Sequence, residues 1–323
     1  MKFGVSIPNG WTLDLTRREG AAAKWEALRD YVVEAETLGF DSAWVVDHFH
    51  TFPRKRTEAV FEAFTTLTAL AAATTRIRLG PLVACAGYRP PAHLAKIAAC
   101  LDVVSGGRLT LGLGAGWYQE EYGAYGYDFP RIAERLARLA ETCEILDALF
   151  TQERVTYEGR HYRLREAICE PKPVQRPRPP LLIGGGGERV LLRQVARHAD
   201  AWNCNVGVDE YRRKLDILHR HCRELGRDPA TIELTVTLPM AVVDRPEDID
   251  RVLAERVPAD IPVSTLRQRY ERMGPLFGTA EEVVRGLRPW RDLGIGTIIC
   301  LLPDPLSRSQ LVRVAREVFP LLA

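Results

Sequence analysis

The chain has 323 residues, 46% apolar and 27% charged, and its 44 basic and 42 acidic side chains leave a formal net charge of +2. That length buries a large core, in one barrel-sized domain or two smaller ones. The charges are interleaved along helical segments rather than gathered into a basic stripe, which speaks against nucleic acid as a partner. No run approaches the ~18 apolar residues of a membrane-spanning helix, and residues 3–7, broken by Pro8-Asn9-Gly10, are too short for the apolar core of a signal peptide.

In chain order, short apolar runs alternate with longer amphipathic stretches. Strands are expected at 3–7, 43–46, 77–83, 109–113, 181–183, 201–204, 232–238 and 297–301. Helical spacing fills the gaps at 24–38, 58–73, 91–104, 130–150, 188–198, 210–225, 280–293 and 307–319. The segment ends carry matching punctuation. Gly39 suits the left-handed position after a helix, Pro91 a first helical turn, and Thr279 with Glu281-Glu282 a capped N-terminus. Strand–helix alternation implies parallel strands with right-handed crossovers. Eight such units in 323 residues fit a closed (β/α)₈ TIM barrel better than an open doubly wound sheet, which periodicity alone does not exclude. The expected organisation is one domain over residues 1–323 with insertions near 151–180 and 244–278. The first insertion reads as a hairpin turning at Glu158-Gly159, and both are expected to line the mouth of the barrel as lids.

The candidate chemistry gathers at strand ends, where barrel enzymes assemble their sites. Asp47 and His48 follow the second strand, and a histidine there can exchange a proton near neutral pH; the plain alternative is a loop cap and a satisfied ring. The third strand ends in Ala84-Cys85-Ala86, small enough to let a flat ring approach the backbone, with Cys85 read as packing rather than as a nucleophile. The fourth ends in Gly112-Leu113-Gly114-Ala115-Gly116. This lies in the wrong place for a Rossmann site, which wants its glycines after the first strand and opening a helix directly. Beyond it, Trp117 and Tyr118 can pack a planar ring, and Glu120 can accept from that ring's N–H groups.

The sharpest anion candidate is Gly184-Gly185-Gly186-Gly187, which turns a strand into a helix and exposes successive amides at a positive helix end; no Lys-Ser/Thr follows, so this is not a P-loop. The Arg54-Lys55-Arg56 run can receive an anionic tail, although a solvated loop is the commoner meaning. No acidic, histidine or cysteine grouping has metal-ligand spacing, and the seven scattered cysteines read as reduced thiols of a cytoplasmic protein.

These landmarks resemble the bacterial luciferase-like monooxygenase superfamily, in its F420-dependent oxidoreductase branch. The resemblance is carried by Phe3-Gly4-Val5 with Ile7-Pro8, Trp44-Val45-Val46-Asp47-His48-Phe49, Tyr88-Arg89-Pro90-Pro91 and Asp102 to Arg108. It continues through the glycine turns at 111–117 and 182–187 and through Ala199-Asp200-Ala201-Trp202. It implies a barrel binding the deazaflavin F420, or alternatively FMN, without a covalent link, and a homodimer formed through barrel helices. It also implies His48 beside the ring, a backbone bulge with a non-proline cis peptide at Cys85-Ala86, and phosphate at Gly184 to Gly187.

Two-electron hydride transfer between F420 and a small organic substrate is the expected reaction. Asn9, Trp11, Tyr88 and the 244–278 excursion are expected to face the substrate. An FMN-dependent monooxygenase using reduced flavin and oxygen, or a non-catalytic barrel subunit, are the rival readings. One departure stands out: where related sugar-phosphate dehydrogenases carry a glutamate directly after the fourth-strand turn, this chain has Trp117, with Glu120 three residues on.

Overall fold

A computed structural model describes residues 1–322 apart from 257, 259 and 304. In chain order the strands are β1 (Lys2–Ser6), β2 (Ser42–Val45), β3 (Arg78–Pro81), β4 (Ala84–Cys85), β5 (Leu111–Gly114), β6 (Val155–Glu158), β7 (Arg163–Ala167), β8 (Leu181–Gly184), β9 (Ala201–Asn203), β10 (Glu233–Val242), β11 (Leu276–Gly278) and β12 (Thr297–Leu301). The helices are α1 (Ala21–Thr37), α2 (Ala63–Ala73), α3 (Pro91–Val104), α4 (Gln119–Ala124), α5 (Ile132–Thr151), α6 (Leu191–His198), α7 (Val208–Glu224), α8 (Ile249–Ala254), α9 (Val263–Glu271), α10 (Ala280–Asp292) and α11 (Ser309–Arg313).

The main sheet runs β3-β2-β1-β12-β10-β9-β8-β5-β4, every neighbouring pair parallel. Because β3 and β4 are two pieces of one barrel position, this order returns on itself. The sheet therefore closes as a TIM barrel, and the open doubly wound alternative falls away.

Side chains fill the closed interior. Trp44, Leu182, Ala201 and Ile299 form an inner cluster against which Leu82 and Val83 pack. Trp44 fits because its neighbours lack side chains: a Cβ on Gly80 would lie 2.8 Å from the indole. The larger core lies between the strands and the helix ring, where the apolar stripes of the helices are buried. The expected helix ends are present. Gly39 has φ +93° after α1, Pro91 opens α3, and Thr279 forms a reciprocal capping box with Glu282 at α10, a feature that stabilises a helix by about 1 kcal/mol.

Several boundaries differ from expectation. β10 passes through Pro239, which still aligns with Leu301 at the end of β12, and its last residues pair instead with β11, a strand too short to read from pattern. The 151–180 excursion does form a hairpin, β6–β7, but its turn is held from outside the barrel mouth: the Glu141 carboxylate accepts the Arg160, His161 and Tyr162 amides, each at 3.0 Å. It contributes nothing to the cleft described below. The 244–278 excursion, carrying α8 and α9, packs on its own apolar cluster with Leu13 and does reach the cleft. All seven cysteines are free, and among the described residues no helix is long and apolar enough to cross a membrane.

Candidate active site

A cleft of about 610 Å³ opens at the C-terminal ends of the barrel strands. Its walls come from the segments after β1, β2, β3, β4, β5, β8 and β9, with Glu210 and Lys214 of α7 and Arg269 of α9.

The floor is set where the third barrel strand breaks. An unbroken strand is expected over 77–83, but β3 ends at Pro81, just after Gly80, and the Leu82–Val83 peptide is cis. The non-proline cis peptide therefore lies three residues before the expected Cys85-Ala86 position. The interruption presents Val83 between two glycines. A Cβ on Gly114 would lie 2.6 Å from Val83 Cγ2, and one on Gly184 2.8 Å from Val83 Cγ1. Both approaches are too close for any side chain, so glycine is required on either side of this isopropyl group.

Of Ala84, Cys85 and Ala86, only Cys85 lines the cleft. The two alanines are 0% and 2% exposed and belong to the main core, since successive residues of an extended chain point to opposite sides. The Cys85 thiol lies 2.9 Å from the Tyr122 hydroxyl, and burial pushes its pKa up to about 11, which leaves it unreactive.

One wall holds a chain of buried polar groups. His48 Nδ1 lies 2.8 Å from Glu121 Oε2, and the Tyr88 hydroxyl donates to the same oxygen at 2.5 Å. The other oxygen, Oε1, accepts the Phe49 amide at 2.7 Å. Burial alone would raise the Glu121 pKa. The bonds from His48, Tyr88 and Phe49 outweigh it and hold the carboxyl below the usual carboxylate range. An ionised carboxylate only accepts, so the proton between the two groups sits on His48 Nδ1, and Nε2 is left as the ring's second site. Trp11 stacks on the imidazole at 4.3 Å between centroids and 10° between planes, which fixes the ring's orientation.

Glu120, expected to hold the polar edge of a ring, is exposed and lies outside the cleft lining; its contact is with the Tyr118 hydroxyl, at 3.4 Å. Tyr118 and Tyr122 bury one side of the first turn of α4, and that phase turns Glu121 inward and Glu120 outward. The four-residue spacing of the two tyrosines hints at this face, but α4 is too short for that spacing alone to fix its phase. Trp117 is half exposed at the cleft edge.

Asp47 lines the cleft, but both of its oxygens are engaged. Arg89 bridges them at 2.7 and 2.9 Å, and the Cys85 amide donates at 2.9 Å. Asp47 thus ties the end of β2 to β4 and positions the residues beside it. Asn9, expected to face substrate, is buried and donates to the Val46 and Phe61 carbonyls at 3.3 and 3.1 Å.

At the opposite end, Gly184, Gly185 and Gly186 line the cleft, while Gly187 is exposed beyond it. Not all four amides are available to an anion. Gly184 is in register with Asn203 and the Gly185 amide donates to the Asn203 carbonyl at 2.9 Å, so the sheet ladder claims this part of the turn. Gly186 and Gly187 remain. Lys214, unanticipated from sequence, reaches in from α7. Its Nζ lies 2.8 Å from the Gly186 carbonyl, 3.1 Å from Glu188 and 3.3 Å from Glu210. Burial would lower its pKa, but the two carboxylates raise it, so it stays a cation. Arg54 and Arg56 of the basic run both pair with Asp260 of the 244–278 excursion, and the run lies outside the cleft lining. Among the described residues no grouping of histidine, cysteine and carboxylate could hold a metal ion.

A family model described as luciferase-like monooxygenase matches residues 1–297. The chain belongs to this family. Among luciferase-like proteins it is similar to an F420-dependent glucose-6-phosphate dehydrogenase of Kineococcus radiotolerans, 28% identical over 91% of this chain and 92% of that one. A protein of the same description from Intrasporangium calvum is 32% identical over 79% of this chain and 72% of the other. In fold, this luciferase-like barrel matches an F420-dependent secondary alcohol dehydrogenase in complex with an F420–acetone adduct. The TM-score is 0.83, at 19% identity, covering 100% of this chain and 99% of that one.

Proposed function

We propose that this luciferase-like chain is an F420-dependent oxidoreductase that moves a hydride between F420 and a small organic substrate. The observation that carries the reading is the pairing, in one cleft, of a flat glycine-bounded floor with a carboxylate-held histidine. Gly114 and Gly184 make room for the Val83 side chain between them, and together these three cleft-lining residues would form the surface on which a planar ring lies. Gly186, Gly187 and Lys214 would hold the cofactor's anionic side chain. The relatives described as F420-dependent support the choice of cofactor over FMN.

When bound, F420 supplies two-electron hydride exchange; the protein's own groups bind, orient and handle the accompanying proton. His48 Nε2 is the atom at which the proton of a substrate hydroxyl is taken up in oxidation or returned in reduction. Glu121, bonded to Nδ1, keeps the ring in that tautomer and stabilises the imidazolium, in the manner of a histidine–carboxylate pair in general base catalysis. Trp11 and Trp117 shield the imidazole from bulk water on two sides.

The reading includes a single domain with insertions near 151–180 and 244–278, a homodimer formed through barrel helices, and a cytoplasmic setting, to which the seven free cysteines are suited. Light scattering of the purified protein tests the dimer. Titrating the apoprotein separately with F420 and FMN tests the function. F420 is expected to bind with micromolar or tighter affinity and FMN far more weakly; tight binding of FMN alone would overturn the assignment.

A further inference from the structure

Arg269 stands on α9 and forms part of the cleft wall. Its guanidinium carbon lies 5.4 Å from the centre of the Trp11 ring and 5.1 Å from that of Phe52. Trp11 is also the ring that stacks on His48, so a single indole joins the cation to the proposed proton-handling group. Arg269 has no hydrogen bond or ion pair among the described residues.

The other cations around the cleft are matched. Lys214 has Glu188 and Glu210, and Arg89 has Asp47 and Glu62. The carboxylates facing the cleft, Asp47 and Glu210, are taken up by those same pairs. Burial pulls the Arg269 pKa down, whereas Arg89, also part-buried but paired, is pushed up. A guanidinium set against aromatic faces gains some cation–π attraction, but it keeps its five donors unmet. Partly removing such a group from water without a counter-ion is unfavourable, and a substrate that brings the counter-ion recovers the loss.

We propose that Arg269 determines specificity by receiving a carboxylate of the substrate, so that the enzyme acts on small hydroxy or oxo acids. The inference rests on the cleft being the substrate site of the reading above. A carboxylate fits better than a phosphate ester on charge and shape. Among the described residues Arg269 is the one unpaired arginine or lysine lining the cleft, and a single guanidinium fork matches the two coplanar oxygens of a monoanion. A phosphate monoester would bring roughly −1.5 to −2 charge to that one cation.

Calorimetry on the F420-loaded protein tests this with benzoate, its neutral isostere benzamide, and inorganic phosphate. Benzoate is expected to bind at least about tenfold more tightly than either of the others, the equivalent of one charge-assisted hydrogen-bonded pair. Arg269→Gln should weaken benzoate about tenfold or more and Arg269→Lys by less, while both keep wild-type F420 affinity. Equal binding of benzoate and benzamide, tighter binding of phosphate, no benzoate binding by the wild type, or no effect of Arg269→Gln would each overturn the proposal. The wild-type comparison stands even if the glutamine variant fails to fold. If F420 itself does not bind, the cofactor assignment fails instead, and the same three probes on the cofactor-free protein still decide the role of Arg269.

Discussion

The two ends of the cleft hold charge in opposite ways. Around His48 the charged groups are deeply buried and fully bonded: Glu121 is 0% exposed and accepts from a ring, a phenol and the backbone, and Asp47 is gripped by Arg89. At the glycine turn, Lys214 is held by Glu188 and Glu210, which are themselves part-exposed, and two of the four glycine amides are left over from the sheet. Burial makes the first end rigid, because breaking any bond there leaves a polar group with no water to replace it. Lys214 is itself buried, but its carboxylate partners reach solvent, so water or a ligand can take their place more readily than any partner at the first end. The first arrangement suits a proton that must move on one path; the second suits an anion that binds and leaves.

Substitutions can break or sharpen that contrast. The largest expected effect is on turnover. His48→Gln should lower the kcat of whatever substrate the enzyme accepts by about 10²- to 10⁴-fold, the usual range for a lost general acid–base group, with F420 affinity changed only a few-fold. A parallel loss of F420 affinity would make His48 a binding group instead. Glu121→Gln should reduce kcat less, and it should cost stability as well: about 1–3 kcal/mol by urea unfolding, since the amide cannot accept from His48, Tyr88 and Phe49 together. The pH dependence has a definite sign. Glu121 is held below the ordinary glutamate value of about 4.3, so its contribution is complete above that pH and disappears as the pH falls through the folded value. The variant should therefore show a smaller loss of stability between neutral pH and acid than the wild type.

Gly184→Ala sets a Cβ against Val83 and should cost about 1–3 kcal/mol by overpacking. Adding Val83→Ala to the same chain should recover most of that stability, and independent, additive effects would mean that the two residues do not form one floor. The smallest effect belongs to Lys214→Met. It should weaken F420 binding only a few-fold and flatten its dependence on salt, with no change in unfolding large enough to resemble Glu121→Gln.

The same division explains what could be read in advance. The eight barrel strands and most helices follow from apolar periodicity, because burial against one core imposes that spacing on each element separately. His48 and the glycine turn were legible too, since their position directly after a strand places them at the barrel mouth. The break at Leu82–Val83 is easily passed over because Leu79, Leu82 and Val83 outline a strand, although Gly80-Pro81 directly before it is the signal of an interruption. Choosing Glu121 over Glu120 needs the phase of α4, a six-residue helix too short for periodicity to fix. The contact of Asp47 with Arg89 and the approach of Arg269 to Trp11 are long-range; they are set by barrel closure and by the packing of the excursion, and local pattern does not encode either.

A crystal structure of the protein with F420 tests the central claim most directly. The account predicts the deazaflavin ring lying against Val83 between Gly114 and Gly184, with His48 Nε2 facing the space above it and the phosphate at Gly186 and Gly187. A ring bound elsewhere, or His48 turned away with Nε2 bonded to Glu121, would contradict it.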